Sequence, residues 1–318
     1  MHRPSAVATL ALVALLSSAP AAADPSFDRI VTFGDSLSDP GNAYLLTGEF
    51  VVRPFEPIPG APYLIGRFHF TNGPTLVEQL ARTLRLPASA RPALARPGVF
   101  TNYAVGGARA RSAGGFDLST QVGLFLFDFD GVASSESLYA VWIGSNDARD
   151  ALMDPAASDQ IILDALEATR AAITALWNAG AQSFLVLTIP NLADTPSIRA
   201  LPPEAQAAAL VVSEGYNEGL AMTLDALESE LEGVEIITFD VFAALSDVVA
   251  HPEAVGLKNV TDSCIRPGVI FGAICRRPDL YLYWDFVHPT KKAHELLSEQ
   301  ARAVLEMAPD AEIVGFLN

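Results

Sequence analysis

The chain has 318 residues, room for one large α/β domain, and half of them are hydrophobic against 18% charged, which argues against disorder. It carries 37 Asp and Glu against 20 Lys and Arg, a formal net charge of −17, so nucleic acid, which requires a basic face, is excluded as a partner.

Arg3 opens the chain, followed by an apolar run over 6–16 and small residues ending at Ala21, Ala22 and Ala23. This pattern predicts a secretory signal peptide over residues 1–23, cleaved after Ala23, and a secreted or periplasmic protein whose single domain spans 24–318. The apolar run is short for a bilayer span and no other segment is longer, so no stable membrane insertion is expected.

The run Ile30-Val31-Thr32-Phe33 ends abruptly at Gly34 and is followed by Asp35-Ser36-Leu37. It predicts a buried strand over 29–34 that empties into a tight turn. In open α/β sheets ligands bind at the carboxyl ends of strands, so Ser36 stands where a nucleophile would stand. Taken alone, Ser36 and Asp39 would serve equally well as helix caps.

Residues 41–73 predict a long irregular connection rich in Pro, Gly and aromatics, and 75–85 a helix with Leu76, Leu80 and Leu84 on one face. A short strand over 100–103 enters Gly106-Gly107. A second aromatic loop is expected over 114–131, then a buried strand over 138–143 running into Gly144. A helix over 157–179, a strand over 184–189 stopped by Pro190, a helix over 204–231 and a strand over 234–239 follow, and the last helix covers 291–307. This alternation predicts a parallel sheet with helices on both faces, a flavodoxin-like three-layer α/β/α sandwich.

Ester hydrolysis needs a nucleophile, a base, a group to orient the base, and donors for the oxyanion. Once residues 1–23 are removed, four histidines remain: His69, His251, His288 and His294. His288 is the best base, because Asp285 lies three residues before it and that spacing lets a carboxylate hold the imidazole tautomer. His294 is expected to be exposed on the last helix, His251 to lie in a loop beside Pro252, and Asp285 could also cap the helix that follows. Asn146 follows a buried strand and can aim its amide into a site there. Gly106-Gly107 by itself suggests only a turn. Cys264 and Cys275 fit an exported protein and could close a small loop before Asp285, a staple of about 3 kcal/mol on the chain-entropy model. Two cysteines without paired histidines give no metal site, and no cofactor is expected.

Four blocks, Gly34-Asp35-Ser36-Leu37, Asn102-Tyr103-Ala104-Val105-Gly106-Gly107-Ala108, Gly144-Ser145-Asn146-Asp147 and Asp285-Phe286-Val287-His288-Pro289, together resemble those of the GDSL esterases, or SGNH hydrolases, in the family's order. The resemblance implies a serine esterase with Ser36 as nucleophile, Asp285 and His288 as its acid–base pair, and an oxyanion hole from the Ser36 N–H, Gly107 and Asn146. The second block leaves Gly106 as the alternative donor. Gly66-Arg67-Phe68-His69-Phe70-Thr71-Asn72-Gly73-Pro74 is similar to a segment of secreted bacterial lipases, lecithinases and acyltransferase relatives. Two features depart from that group: Pro40 stands where it often carries Thr, and the stretch between the cysteines is short compared with the lid-like insertion of the acyltransferases. The expected substrate is therefore a small-molecule ester with a short acyl group. A lipid ester is the alternative, through phospholipase, lysophospholipase or acyltransferase activity.

Overall fold

The computed structural model describes residues 27–307; the segment read as a signal peptide lies outside them. In chain order the regular elements are β1 (Ile30–Gly34), α1 (Asn42–Thr47), α2 (Leu76–Thr83), α3 (Leu118–Asp128), β2 (Leu138–Trp142), α4 (Ser145–Met153), α5 (Ser158–Asn178), β3 (Ser183–Leu187), α6 (Pro196–Arg199), α7 (Pro203–Glu230), β4 (Glu235–Phe239), α8 (Val241–Ala250), β5 (Asn259–Ser263), β6 (Tyr281–Tyr283) and α9 (Lys291–Met307).

Strands β1, β2, β3 and β4 lie side by side in that order and all run parallel. Such strands are buried on both faces, so their side chains divide by the period of two. Val31, Phe33, Tyr139, Val141, Phe184 and Val186 face one core, packed by α3, α4, α5 and α7. Ile30, Leu138, Ala140, Trp142, Leu185 and Leu187 face the other, packed by α2, α8 and α9. The result is the expected three-layer α/β/α sandwich.

The predicted strand at 100–103 is reduced to a parallel bridge from Asn102 to Thr32, with Thr32 N–H donating to Thr101 O and Tyr103 N–H to Thr32 O. It still occupies the outer edge of β1. Consecutive connections therefore leave β1 in opposite directions, and this is the switch point at which open sheets form a crevice. Gly34 pairs with Trp142 in register, so the chain leaves β1 and β2 at the same level.

The aromatic stretch 114–131, expected as a loop, contains α3. Leu118, Val122 and Phe125 are buried at helical spacing, while Gly123, the exposed Phe127 and the partly buried Phe116 and Phe129 obscure the pattern. The Asp117 carboxylate accepts from the N–H groups of Arg109, Ala113 and Gly115 and so ties down the turn that precedes the helix. Helices α4 and α8 follow their strands after very short turns and were not anticipated.

His294 is buried, not exposed. Its Nδ1 accepts the Leu76 N–H at 3.2 Å, at the start of α2, and burial pushes its pKa down to about 3. The first turn of a helix has N–H groups without intrahelical partners, and here a residue of α9 supplies the acceptor. His251 ends α8, with its Nδ1 2.9 Å from Asp247 Oδ1.

Strands β5 and β6 form a small separate sheet whose connection holds the Cys264–Cys275 disulfide. It packs on the long connection through Phe55, Tyr63, Ile265 and Trp284. No helix among the described residues is long and apolar enough to cross a membrane.

Candidate active site

Ser36 stands in the turn after β1 and His288 in the turn before α9. Their Oγ and Nε2 atoms lie 2.8 Å apart. The loop from Trp284 to His288 is closed by Trp284 N–H donating to His288 O. Within it Asp285 Oδ1 accepts the N–H groups of Val287 and His288, at 2.8 and 2.7 Å, which turns the chain back on itself. The same turn sets Asp285 Oδ2 2.7 Å from His288 Nδ1. With the carboxylate as acceptor, Nδ1 carries the proton and Nε2 is left to accept the Ser36 hydroxyl.

Asp285 is fully buried and takes a fourth hydrogen bond, from the Tyr63 hydroxyl at 2.9 Å. Burial and the neighbouring carboxylate raise the Tyr63 pKa far above its ordinary value, so the phenol remains a donor. Trp284 and Phe55 hold the ring in edge-on contact. Sequence reasoning missed Tyr63, which lies in an irregular segment with no periodic pattern; only the density of aromatics in that segment hinted at it.

Asp39 ties the start of α1, which follows the turn that carries Ser36, to Gly106. Its Oδ1 accepts from Gly41 and Asn42 N–H and its Oδ2 from Ala43 and Gly106 N–H, the last at 2.8 Å, while burial pushes its pKa up to about 6. The Gly106 N–H is thereby consumed. Among the described residues nothing accepts from Gly107 N–H, and Gly107 has a positive φ of 82°, which suits glycine. A Cβ on Gly106 would lie 2.1 Å from the Phe70 ring, which packs against His288.

Asn146 sits in the first turn of α4, with Nδ2 donating to Ala108 O at 3.0 Å and Oδ1 3.5 Å from the Arg149 guanidinium. One amide N–H remains. Ser36, His288 and Asn146 share a small pocket of about 50 Å³ walled by Leu37, Leu192 and Val287. Gly107 is not part of that wall; its carbonyl accepts from Arg109.

Asp35, also buried, keeps its Oδ1 on Leu37 N–H while burial pushes its pKa up to about 6. His69 is held between Gly66 O and Glu78 Oε2, at 2.6 and 2.7 Å. Burial alone would lower its pKa; the two acceptors reverse that and raise it. It braces α2 and does not line the pocket. Among the described residues no group of three His, Cys, Asp or Glu side chains is placed to hold a metal ion.

A family model described as GDSL-like lipase/acylhydrolase matches residues 30–301. The chain is similar to a GDSL esterase/lipase of Arabidopsis thaliana, 28% identical over 311 residues that cover 85% of this chain and 87% of the relative. It is also similar to lipase 1 of Photorhabdus luminescens, 26% identical over 88% of this chain but only 50% of that protein. Among solved structures, an acetylxylan esterase from Geobacillus stearothermophilus aligns with a TM-score of 0.49 at 13% identity, over 89% of this chain and 96% of that one.

Proposed function

The chain belongs to the GDSL-like lipase/acylhydrolase family, whose members are hydrolases acting on esters, and from that premise we propose that it is an exported serine esterase of short-chain carboxylic esters. The observation that carries the mechanism is the continuous relay from Ser36 Oγ through His288 to Asp285, with steps of 2.8 and 2.7 Å. Ser36 Oγ attacks the ester carbonyl while His288 Nε2 takes its proton. The Ser36 and Gly107 N–H groups and the free amide N–H of Asn146 bind the oxyanion. Collapse expels the alcohol, which takes the proton back from Nε2, and water then releases the acyl group by the same path. Asp285 orients His288 and stabilises the imidazolium.

The small pocket beside Ser36, about 50 Å³, supports a short acyl group. The disulfide Cys264–Cys275 supports export, because such bonds persist in oxidising compartments.

Ser36→Ala and His288→Ala each remove nearly all activity on p-nitrophenyl acetate with the fold intact, and the double variant is scarcely worse than either. Independent, multiplying losses would refute the shared relay. Across p-nitrophenyl esters kcat/KM peaks at short chains, each fitted methylene adding at most about 0.8 kcal/mol. A lipid substrate, through phospholipase or acyltransferase activity, is the second reading. It is favoured by Ile270 and Phe271, which stand 56% and 94% exposed on the disulfide loop. A maximum at long chains, or a jump in rate on phosphatidylcholine vesicles, would decide for it.

A further inference from the structure

Three arginines converge beside this pocket in a chain whose net charge is −17. Two of them are neutralised. Arg109 grips Asp150 through Nε and NH2, at 3.0 and 2.9 Å, and Arg111 contacts both Asp147 and Asp150. The third, Arg149, is partly buried and has no carboxylate within ion-pair distance among the described residues; its one hydrogen bond is the long contact to Asn146 Oδ1. Asp285 is committed to Tyr63, His288 and two backbone N–H groups; Asp35 holds Leu37 N–H through Oδ1, while its buried Oδ2 has no hydrogen-bond partner and does not reach Arg149 as an ion pair. Burial and the charge of Arg109 lower the Arg149 pKa, and Asp150, Asp285 and Asp35 act against them without direct contact.

Arg149 lies where it can be reached. It lines the small pocket at Ser36 and also a larger adjoining cleft of about 390 Å³, whose walls include Ile58, Leu152, Met153 and Ile198. Asn146 belongs to both spaces as well. A group bound at Arg149 is therefore close to the ester carbonyl. Of the three guanidinium groups only Arg149 has no ion-paired carboxylate among the described residues, and a ligand carboxylate would supply one. The planar fork of a guanidinium matches a carboxylate in two parallel hydrogen bonds.

We propose that Arg149 is a specificity-determining residue that binds a carboxylate carried by the substrate within a few bonds of the reacting ester, on either its acyl or its alcohol side. This rests on the esterase reading above and adds the chemical class of its substrate. The overall acidity of the protein disfavours anions at long range, so Arg149 selects at the site itself.

The test compares kcat/KM of the wild type and Arg149→Gln on two pairs of esters. For the acyl side these are p-nitrophenyl hemisuccinate and p-nitrophenyl butyrate; for the alcohol side, 4-acetoxybenzoate and its methyl ester. In one pair the anionic-over-neutral ratio falls by about ten- to hundredfold in Arg149→Gln, the loss expected for a hydrogen-bonded charge pair, and Arg149→Lys recovers part of it. The pair that responds identifies the side. If both members of both pairs fall in parallel, Arg149 only steadies Asn146 and the proposal is overturned. Turnover of the neutral esters by the wild type reads the esterase assignment separately. A calorimetric titration reads the subsite without turnover: Ser36→Ala protein binds the anionic ester of the responding pair more tightly than the neutral one, and loses that preference when Arg149→Gln is added. Equal binding of the two by Ser36→Ala protein would also overturn the proposal.

Discussion

Tyr63 shows how much of the proposed catalytic relay sits outside the recognisable motifs. Asp285 has four donors, and three of them come from its own loop. Only the Tyr63 hydroxyl comes from elsewhere, 222 residues away along the chain, and it bonds Oδ2, the oxygen that also accepts from His288 Nδ1. Tyr63→Phe keeps the packing against Trp284 and deletes this one bond. We expect kcat to fall by about tenfold, or about 1.4 kcal/mol of transition-state stabilisation, with KM little changed. Unaltered kcat would mean that the phenol is there for packing alone. The motif residues themselves were legible because their chemistry is local: Asp285 and His288 lie three positions apart, and Ser36 follows its strand by two. Tyr63 was not, because its partner is chosen by tertiary contact. The choice between Gly106 and Gly107 likewise depends on a tertiary contact that no local pattern shows, the bond by which Asp39 occupies the Gly106 N–H.

At the scale of elements, the first turn of α2 gathers charge-sensitive side chains from three parts of the chain. Glu78 accepts the Thr75 N–H in a capping arrangement and also holds His69, and His294 of α9 accepts the Leu76 N–H. His294 was expected to be exposed on the last helix; the buried start of α2 instead takes it as an acceptor. The consequence for stability has a definite sign. His294 has a folded pKa of about 3, depressed by burial and by His288 and His69, against an ordinary value of 6.5. Between those values the unfolded chain binds the proton and the folded one does not, so the contribution of neutral His294 is lost as pH falls from 6.5 towards 3. Asp35, Asp39 and Asp147, raised to about 6 from 3.8, act in the opposite direction over part of the same range. A comparison with His294→Asn cancels them. The variant melts below the wild type at pH 7, and the gap narrows at pH 4.5; a constant difference in Tm would mean that His294 is not held neutral. The helix missed at α3 has a related cause. Its buried face, Leu118, Val122 and Phe125, is regular, but Gly123 and the flanking aromatics read as a loop when taken residue by residue.

For the molecule as a whole, the sheet and its two covering layers were legible because parallel strands buried on both faces leave uninterrupted apolar runs. The small β5–β6 sheet was not, since β5, Asn259–Ser263, is polar and half-exposed with no alternation, and β6, Tyr281–Tyr283, is only three residues long. The contact between Ser36 and His288 joins residues 252 positions apart and closes only when α9 docks under β1 and α2. Every strand pair in the main sheet is also a crossover pair. Such chains pay loop-closure entropy before long-range contacts reward it, and they fold slowly for their size. In refolding from denaturant, far-UV circular dichroism should therefore recover before hydrolysis of p-nitrophenyl acetate; simultaneous recovery would show that helix formation and closure of the two chain ends are a single event. The same geometry bears on synthesis. On the proposed mechanism the base is made 252 residues after the nucleophile, so a chain growing between them carries an inert serine. Hydrolytic capacity would then appear only after the segment that carries His288 has left the ribosome and folded back onto the turn after β1.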